Sequence, residues 1–302
     1  MWGGRAYRPK PGQTDDHGWA TGTVPVAQLG AASQARVKGM EVIICPNERR
    51  VGEIGAAKVA QIAARVGPAV VLGVATGSSP LATYAELARL VGTGELDLSQ
   101  ASAFALDEYV GLPITHPESY HDTIRRTVTE PLRLDPARVH VPDGSLEGLD
   151  TAGERYEAAI KAAGGVDIQI LGVGSNGHVG FNEPTSALTS RTRLKTLAPR
   201  TLADNARFFA SIDEVPRHCV TQGLGTIMDA RHVVLVATGD SKAEAVAAII
   251  EGPVTAMWPG SILQMHAHAT VVVDEAAAAR LKLAEYYKQV YANLPDWQRL
   301  AV

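Results

Sequence analysis

At 302 residues, with 46% apolar and 20% charged side chains, the chain can bury a sizeable core as one large α/β domain or two small ones. Its 28 basic and 32 acidic residues leave a net charge of −4, which gives no electrostatic footprint for nucleic acid or an anionic membrane. Two cysteines, Cys45 and Cys219, exclude a disulfide framework and a CxxC metal pattern and suit reduced, cytoplasmic thiols; no apolar run approaches the roughly 18 residues of a membrane span.

Residues 1–39 hold seven glycines and three prolines with no helical or strand period and no secretory h-region, so they are expected to form a disordered extension. Met40 to Cys45 is the first expected strand. Asn47 can cap a helix in which Val51, Ile54, Ile62 and Val66 share a stripe, ended by Gly67-Pro68. Ala69 to Val74 is a continuous apolar run, as in a strand buried on both faces. Thr76, Gly77, Ser78 and Ser79 then lead into a helix from Leu81 to Leu90, with Pro80 at its first position and Ser79 placed to cap. A strand, a small polar loop and a helix start make a ready anion site, although an ordinary βα turn also carries Gly and Ser.

Ala101 to Leu106 is the next strand, with Asp107-Glu108-Tyr109 at its carboxyl end, the edge where open parallel sheets bind ligands. Asp107 is there a candidate base; a helix cap or an ion-pair partner fits the position too. Asp122 to Leu132 continues helically, Arg138 to Pro142 is a short strand, and Thr151 with Glu154 forms a capping box for a helix stopping at Gly164-Gly165. Val166 to Ile170 alternates like a strand and empties into LGVGSNGHVGFNEP, Leu171 to Pro184. Its glycines Gly172, Gly174 and Gly177 are expected to turn the backbone and leave amides facing a ligand, with Asn176, His178, Asn182 and Glu183 in the turn. An imidazole beside an amide and a carboxylate suits proton transfer near neutral pH; a tight turn with a solvated histidine fits this window equally.

Thr185 to Thr196 is polar and bears Arg191, Arg193 and Lys195, which with Ser186 suit either a phosphate grip or solvated loop charges. Thr201 to Phe209, containing Arg207, reads as helical. His232 to Thr238 is another buried strand, followed by Gly239-Asp240-Ser241-Lys242 and a helix from Ala243 to Ile250. Ala269 to Val273 closes the sheet before a terminal helix from about Glu275 to Asn293. Seven strands alternating with helices predict an α/β fold. It is a single doubly wound, mostly parallel sheet of about seven strands with helices on both faces, modified Rossmann-like, as one catalytic domain over 40–302. No acidic residue closes a later strand at the spacing a dinucleotide ribose needs, so the glycines do not signal NAD.

Four windows taken in order, VATGSSPLATY, ALDEYVGLPITHPESY, LGVGSNGHVGFNEP with SRTRLKTL, and ARFF followed by TGDSK, resemble the glucosamine-6-phosphate deaminase family from about Met40 to Tyr287. That resemblance implies hydrolytic, isomerising deamination of glucosamine 6-phosphate to fructose 6-phosphate and ammonia, with no organic cofactor and no metal. It implies Asp107 as the base moving a proton from sugar C2 to C1, and His178 as the group opening the pyranose ring. Glu183 and Asn176 would orient and tune that imidazole, and Thr76, Gly77, Ser78, Ser79, Arg207 and Lys242 would bind substrate phosphate. Ser186, Arg193 and Lys195 match positions that bind the activator N-acetylglucosamine 6-phosphate in oligomeric bacterial relatives, and Tyr286 falls near another residue linked to that response, so a homo-oligomer is one expectation and an unregulated monomer another.

Some family members carry Asp where this chain has Asn176; an amide cannot stabilise a charged imidazole as a carboxylate would, which predicts a lower-titrating histidine here. The alternatives are a phosphosugar lactonase of the same fold, disfavoured by Asp107 and Glu183 in their motif contexts, and a non-catalytic sugar-phosphate sensor, disfavoured by retention of both Asp107 and His178. An epimeric enzyme acting on galactosamine 6-phosphate would carry much the same residues.

Overall fold

The computed structural model describes residues 39–300; the expected N-terminal extension lies outside the described residues. The described residues form ten strands: β1 (Gly39–Cys45), β2 (Val71–Val74), β3 (Ser102–Ala105), β4 (Asp107–Tyr109), β5 (Val139–His140), β6 (Ile168–Leu171), β7 (Arg193–Thr196), β8 (His218–Thr221), β9 (His232–Ala237) and β10 (His268–Asp274). The α-helices are α1 (Glu48–Val66), α2 (Leu81–Thr93), α3 (Tyr120–Ile124), α4 (Ala152–Ala162), α5 (Pro199–Asn205), α6 (Leu224–Met228), α7 (Ala243–Glu251) and α8 (Ala284–Ala292).

Seven strands form one sheet in the order β1-β10-β9-β6-β2-β3-β5, and every pairing in it is parallel. Strand residues alternate between two buried clusters. Val233 and Leu235 of β9 join Tyr156 and Ile160 of α4, Leu224 and Ile227 of α6 and Val246 and Ile249 of α7 on one face. Val234 and Val236 join Val51, Ile54 and Ile62 of α1, Leu87 of α2 and Ile124 of α3 on the other. This double cover explains why the strands are nearly all apolar.

The connection leaving β2 runs to β3 on one side, and the one leaving β6 passes to β9 on the other. β2 and β6 are neighbours, so their carboxyl ends flank the point where strand order reverses, which is where open α/β sheets form their ligand crevice. Gly73 of β2 stands opposite Gln169 of β6, and a Cβ at Gly73 would lie 2.0 Å from the Gln169 Oε1. Only glycine lets that buried amide lie across the strand.

Several expectations are corrected. A second sheet exists, antiparallel and three-stranded in the order β4-β8-β7; the DEY segment leaves β3 and enters it, so the sheet is not single. The stripe of α1 excludes Val66, which is 47% exposed, because the helix has run past the sheet by then. Asn47 does cap, accepting from the Arg50 amide at 3.0 Å, whereas Ser79 and Thr151 make no capping bond. Pro80 occupies the cap position of α2, and the Thr151 hydroxyl donates to the Gly148 carbonyl instead. β6 does not alternate, since Ile168, Gln169, Ile170 and Leu171 are all buried. The segment after α3 is a five-residue π-helix, Arg125–Thr129. The terminal helix begins only at Ala284; Ala277 and Ala278 sink into the core in a turn instead.

Candidate active site

The small sheet exists to present β4. Asp107 pairs with Thr221 of β8, and Glu108 and Tyr109 follow in register against Val220 and Cys219. Both carboxylates are buried, Asp107 at 5% and Glu108 at 3% exposure. Glu108 is structural: its Oε1 accepts the Tyr109 and Tyr120 amides at 2.8 and 2.9 Å, and its Oε2 accepts the His121 amide at 2.8 Å. Burial pushes Glu108 above the usual carboxylate range, with those three amides acting against it. Asp107 has weaker support. Burial, then the neighbouring Glu108 charge, raise it to about 8, while the Thr221 hydroxyl and the Phe181 amide pull it back.

The turn after β6 lies directly against this carboxylate. Gly180 adopts φ +56°, and a Cβ there would meet the Thr221 Oγ1 at 3.1 Å and the Asp107 Oδ2 at 3.4 Å. His178 is two residues upstream in the same turn, its side chain 21% exposed. Its Nδ1 faces the Glu183 Oε2 at 3.6 Å, longer than a hydrogen bond. Asn176 Nδ2 donates to that same Oε2 at 2.8 Å, and the Thr201 hydroxyl on α5 donates to Oε1. Burial alone would raise Glu183. The nearby His178 imidazole, with the donors Thr201 and Asn176, reverses this and holds Glu183 at about 2. Asn176 reaches the imidazole only indirectly: its Oδ1 accepts the His178 backbone amide at 3.2 Å.

The glycines of this turn work differently from the expectation. The Gly174 amide donates to the His178 carbonyl at 2.9 Å and the Gly177 amide to the Gly174 carbonyl at 2.9 Å, so neither is offered to a ligand. Gly174 serves by lacking a side chain: a Cβ there would be 2.1 Å from the His178 Cε1, so the ring lies flat on the backbone. Segment 255–260 braces the turn from behind, with the Gly260 amide donating to the Gly177 carbonyl at 2.8 Å and the Thr185 amide to the Ala256 carbonyl at 2.8 Å. Thr185 is held at φ +77°, an unusual conformation for a β-branched residue, immediately after the Asn182-Glu183-Pro184 run.

The loop after β2 meets this turn, a Cβ on Gly172 standing 3.8 Å from the Pro80 side chain. Tyr84 pins its start, donating to the Ala75 carbonyl at 2.8 Å and accepting the Ala75 amide at 2.9 Å. Ser79 is buried, whereas Gly77 and Ser78 are exposed at the strand end. Thr76 lies beside the Tyr120 hydroxyl, which in turn reaches the Tyr109 hydroxyl at 3.4 Å, and Asn205 of α5 donates to Tyr109 at 2.8 Å. Lys242 ends the Asp240–Lys242 turn after β9, the strand beside β6; the Gly239 amide there is bound by Asp274 at 3.1 Å. Arg207 is exposed in the turn following α5, its guanidinium 4.6 Å above the Phe208 ring.

Among the positions expected to bind an activator, Ser186 is buried and its hydroxyl has no partner, and Arg193 Nη1 donates to the Asn182 Oδ1, in the turn after β6, at 2.9 Å. Lys195 follows on β7. Tyr286 is 59% exposed on α8, beside Tyr287, and α8 packs on β1 at the sheet edge. Two surface cavities of 390 and 430 Å³ are lined by neither Asp107 nor His178. In the first, Glu157, Arg191 and Asp229 are held in ion pairs. Sequence reasoning gave no role to Thr201, Thr221, Tyr120 or Glu108. Glu108 and Tyr120 had a local signal, their places in the ALDEYVGLPITHPESY window; Thr201 and Thr221 act through contacts distant in the chain.

A parallel α/β sheet with a buried carboxylate and an imidazole–carboxylate pair at its switch point defines an enzyme of acid–base chemistry on a small polar substrate. The profile of the family described as glucosamine-6-phosphate isomerases/6-phosphogluconolactonase matches residues 48–272, and the chain belongs to that family. It is 60% identical over 249 residues to a glucosamine-6-phosphate deaminase of Cutibacterium acnes, covering 82% of this chain and 95% of that protein. A solved monomeric glucosamine-6-phosphate deaminase superimposes with a TM-score of 0.77 at 38% identity, over 80% of this chain and 100% of the other. The 6-phosphogluconolactonase from Trypanosoma cruzi matches at TM-score 0.64 with 20% identity, over 80% and 97% of the two chains, which is a likeness of fold. Among the described residues no helix is long and apolar enough to cross a membrane.

Proposed function

We propose that this chain converts glucosamine 6-phosphate and water to fructose 6-phosphate and ammonia, with residues 40–302 as the catalytic unit. The observation that carries the reading is the contact of the Asp107 carboxylate with Gly180, in the same turn that holds His178 over Gly174 and beside Glu183. An ionised Glu183 beside Nδ1 favours the tautomer with its proton there, which leaves Nε2 to exchange a proton with the pyranose ring oxygen. Ring opening frees an aldehyde, and the proton on C2 becomes acidic.

Asp107 is the base for that proton. Its elevated pKa keeps it largely neutral in the empty site near pH 7, and the positive charge of the substrate's amino group favours its ionisation. Returning the proton to C1 yields the imine at C2; water adds, the C–N bond breaks and ammonia leaves. Thr76, Gly77, Ser78 and Ser79 with Arg207 and Lys242 receive the phosphate, an assignment supported by the position of the loop at the end of β2 and of Lys242 after β9.

The test is ammonia and fructose 6-phosphate production from glucosamine 6-phosphate by the wild type and Asp107→Asn, with galactosamine 6-phosphate and 6-phosphogluconolactone in parallel. Wild-type release of ammonia from the gluco epimer, lost in the variant, is expected. Lactone hydrolysis without ammonia release would replace this reading with the lactonase.

Activation by N-acetylglucosamine 6-phosphate in an oligomer is the second part of the reading, through Ser186, Arg193, Lys195 and Tyr286. The Arg193–Asn182 hydrogen bond supports it, since a ligand on Arg193 would pull on the catalytic turn. Sigmoidal kinetics that become hyperbolic with the activator are expected; hyperbolic kinetics with and without it would end the proposal. The buried, unpaired Cys45 and Cys219 support a cytoplasmic setting.

A further inference from the structure

Helix α5 touches the site at two separated points. Thr201, in its first turn and 4% exposed, donates to the Glu183 Oε1, and Asn205 at its end donates to the Tyr109 hydroxyl at 2.8 Å. From Tyr109 the contacts continue to Tyr120 and to the Thr76 hydroxyl in the loop after β2. The same segment runs on into Arg207 two residues later. Glu183 meanwhile has donors on both oxygens, Thr201 on one and Asn176 on the other, with His178 facing the second.

We propose that Thr201 is a positioning residue for ring opening. Its hydroxyl fixes the Glu183 carboxylate so that Oε2 faces the His178 Nδ1, and it couples that pair, through α5, to the phosphate-side loop. This deepens the deaminase reading and rests on His178 being the proton shuttle. Two donors on one carboxylate leave it a single rotamer. Without Thr201 the group can rotate about its last torsion, and the imidazole no longer faces a carboxylate of fixed direction. The other titratable groups on this side are Asp107 of β4, Cys219 of β8 and Lys195 and Arg193 of β7. The Cys219 thiol feels Asp107 and Glu183 in one direction and both cations in the other.

Thr201→Val keeps the shape and removes the donor; Thr201→Ser keeps the donor and removes the methyl. In the full-length protein, Thr201→Val is expected to lower kcat for glucosamine 6-phosphate by about tenfold, the effect of losing one hydrogen bond to a charged group. It should displace the His178 titration, followed by NMR of histidine-labelled protein and assigned with His178→Gln. Binding of the open-chain amino-alditol 6-phosphate, which needs no ring opening, should change less than about twofold. Thr201→Ser should restore both kcat and titration, and Thr201→Ala replaces the valine variant should that one fail to fold.

A valine variant with wild-type kcat and titration would overturn the proposal. So would weaker binding of the open-chain analogue that matches the kcat loss while the titration stays still, because that is a packing defect. The NMR titration needs no turnover. A wild type that releases no ammonia would therefore remove the deaminase reading and leave the Thr201–Glu183–His178 coupling to be judged on the titration alone.

Discussion

Every residue of β9 from Val233 to Ala237 is apolar and fully buried, whereas β4, three residues long and equally buried, carries two carboxylates side by side. The large sheet meets mostly hydrocarbon on both faces, Gln169 and Thr270 being its buried polar side chains. The small sheet and the turn beside it bury Asp107, Glu108, Asn182, Glu183, Thr221 and Gln222. Buried polar groups destabilise unless each finds partners. Glu108 finds three amides, Glu183 finds Asn176 and Thr201, and Asn182 donates to the Val179 and Gln222 carbonyls. Asp107 is the under-supported member, raised by burial and by Glu108 to about 8. The difference separates two tasks within one fold: the parallel sheet supplies stability, and the antiparallel one holds a single carboxylate in a state the folded protein would not otherwise choose.

Asp107→Asn tests that division most severely. Loss of the base is expected to lower kcat by about 10³-fold. Stability should move the other way. Between the unfolded carboxylate value and about 8 the unfolded chain releases a proton that the folded chain keeps, so the wild type loses stability as pH rises through that window. An asparagine has no such proton, and the Tm of the variant should exceed that of the wild type at pH 8 and converge with it at pH 4. A wild-type Tm that does not fall relative to the variant across this range would place Asp107 in the same category as the scaffold.

The opposite result is expected from the large sheet. Ile170 of β6 is completely buried, and Ile170→Ala should cost about 2–5 kcal/mol of stability, read from denaturant unfolding, with KM unchanged below its melting range. Thr221→Val is the matched change in the small sheet. The Thr221 Oγ1 accepts the Phe181 amide at 3.1 Å and also holds Asp107 down. Its loss should move the ascending limb of kcat/KM to higher pH while altering stability less than Ile170→Ala does. A Thr221→Val enzyme with an unmoved limb would show that Asp107 does not carry it.

The scaffold was readable from the chain because most of its strands sit in continuous apolar runs bounded by turn residues, as Ala69–Val74 and His232–Thr238 do. All seven expected strands are present and lie in one sheet. The small sheet escaped because its strands lie in no continuous apolar run and are mixed in character. Arg193–Thr196 alternates between half-buried and exposed, and its partner His218–Thr221 is defined by a pairing across some 20 residues of chain. The alanines at 276–279 read as helix from propensity, but the core takes Ala277 and Ala278 at an angle a continued helix could not supply. For the site, Asp107, His178 and Glu183 were marked by their own windows, and Asp107 stands against Gly180, in the turn that carries His178 and leads to Glu183. Thr201 carried no mark: nothing in a helical Thr-Leu-Ala-Asp predicts that its hydroxyl ends on a carboxylate 18 residues earlier.

Asn176→Asp is the finest test, because it changes one atom at the boundary between the turn and the dyad. The Asn176 Nδ2 now donates to the Glu183 Oε2 at 2.8 Å, and that donor helps hold Glu183 at about 2. An aspartate would replace the donor by an acceptor and set two carboxylates against each other, raising Glu183 and placing a second negative charge near the imidazole. The limb of the pH–rate profile carried by His178 should therefore move to higher pH. The backbone contact from the His178 amide to the side-chain oxygen at 176 can persist, since aspartate keeps that acceptor, so the turn should hold its shape and KM should change little. A profile that stays in place while kcat falls would mean that Asn176 serves the turn's geometry alone, and that Glu183 and Thr201 set the imidazole without it.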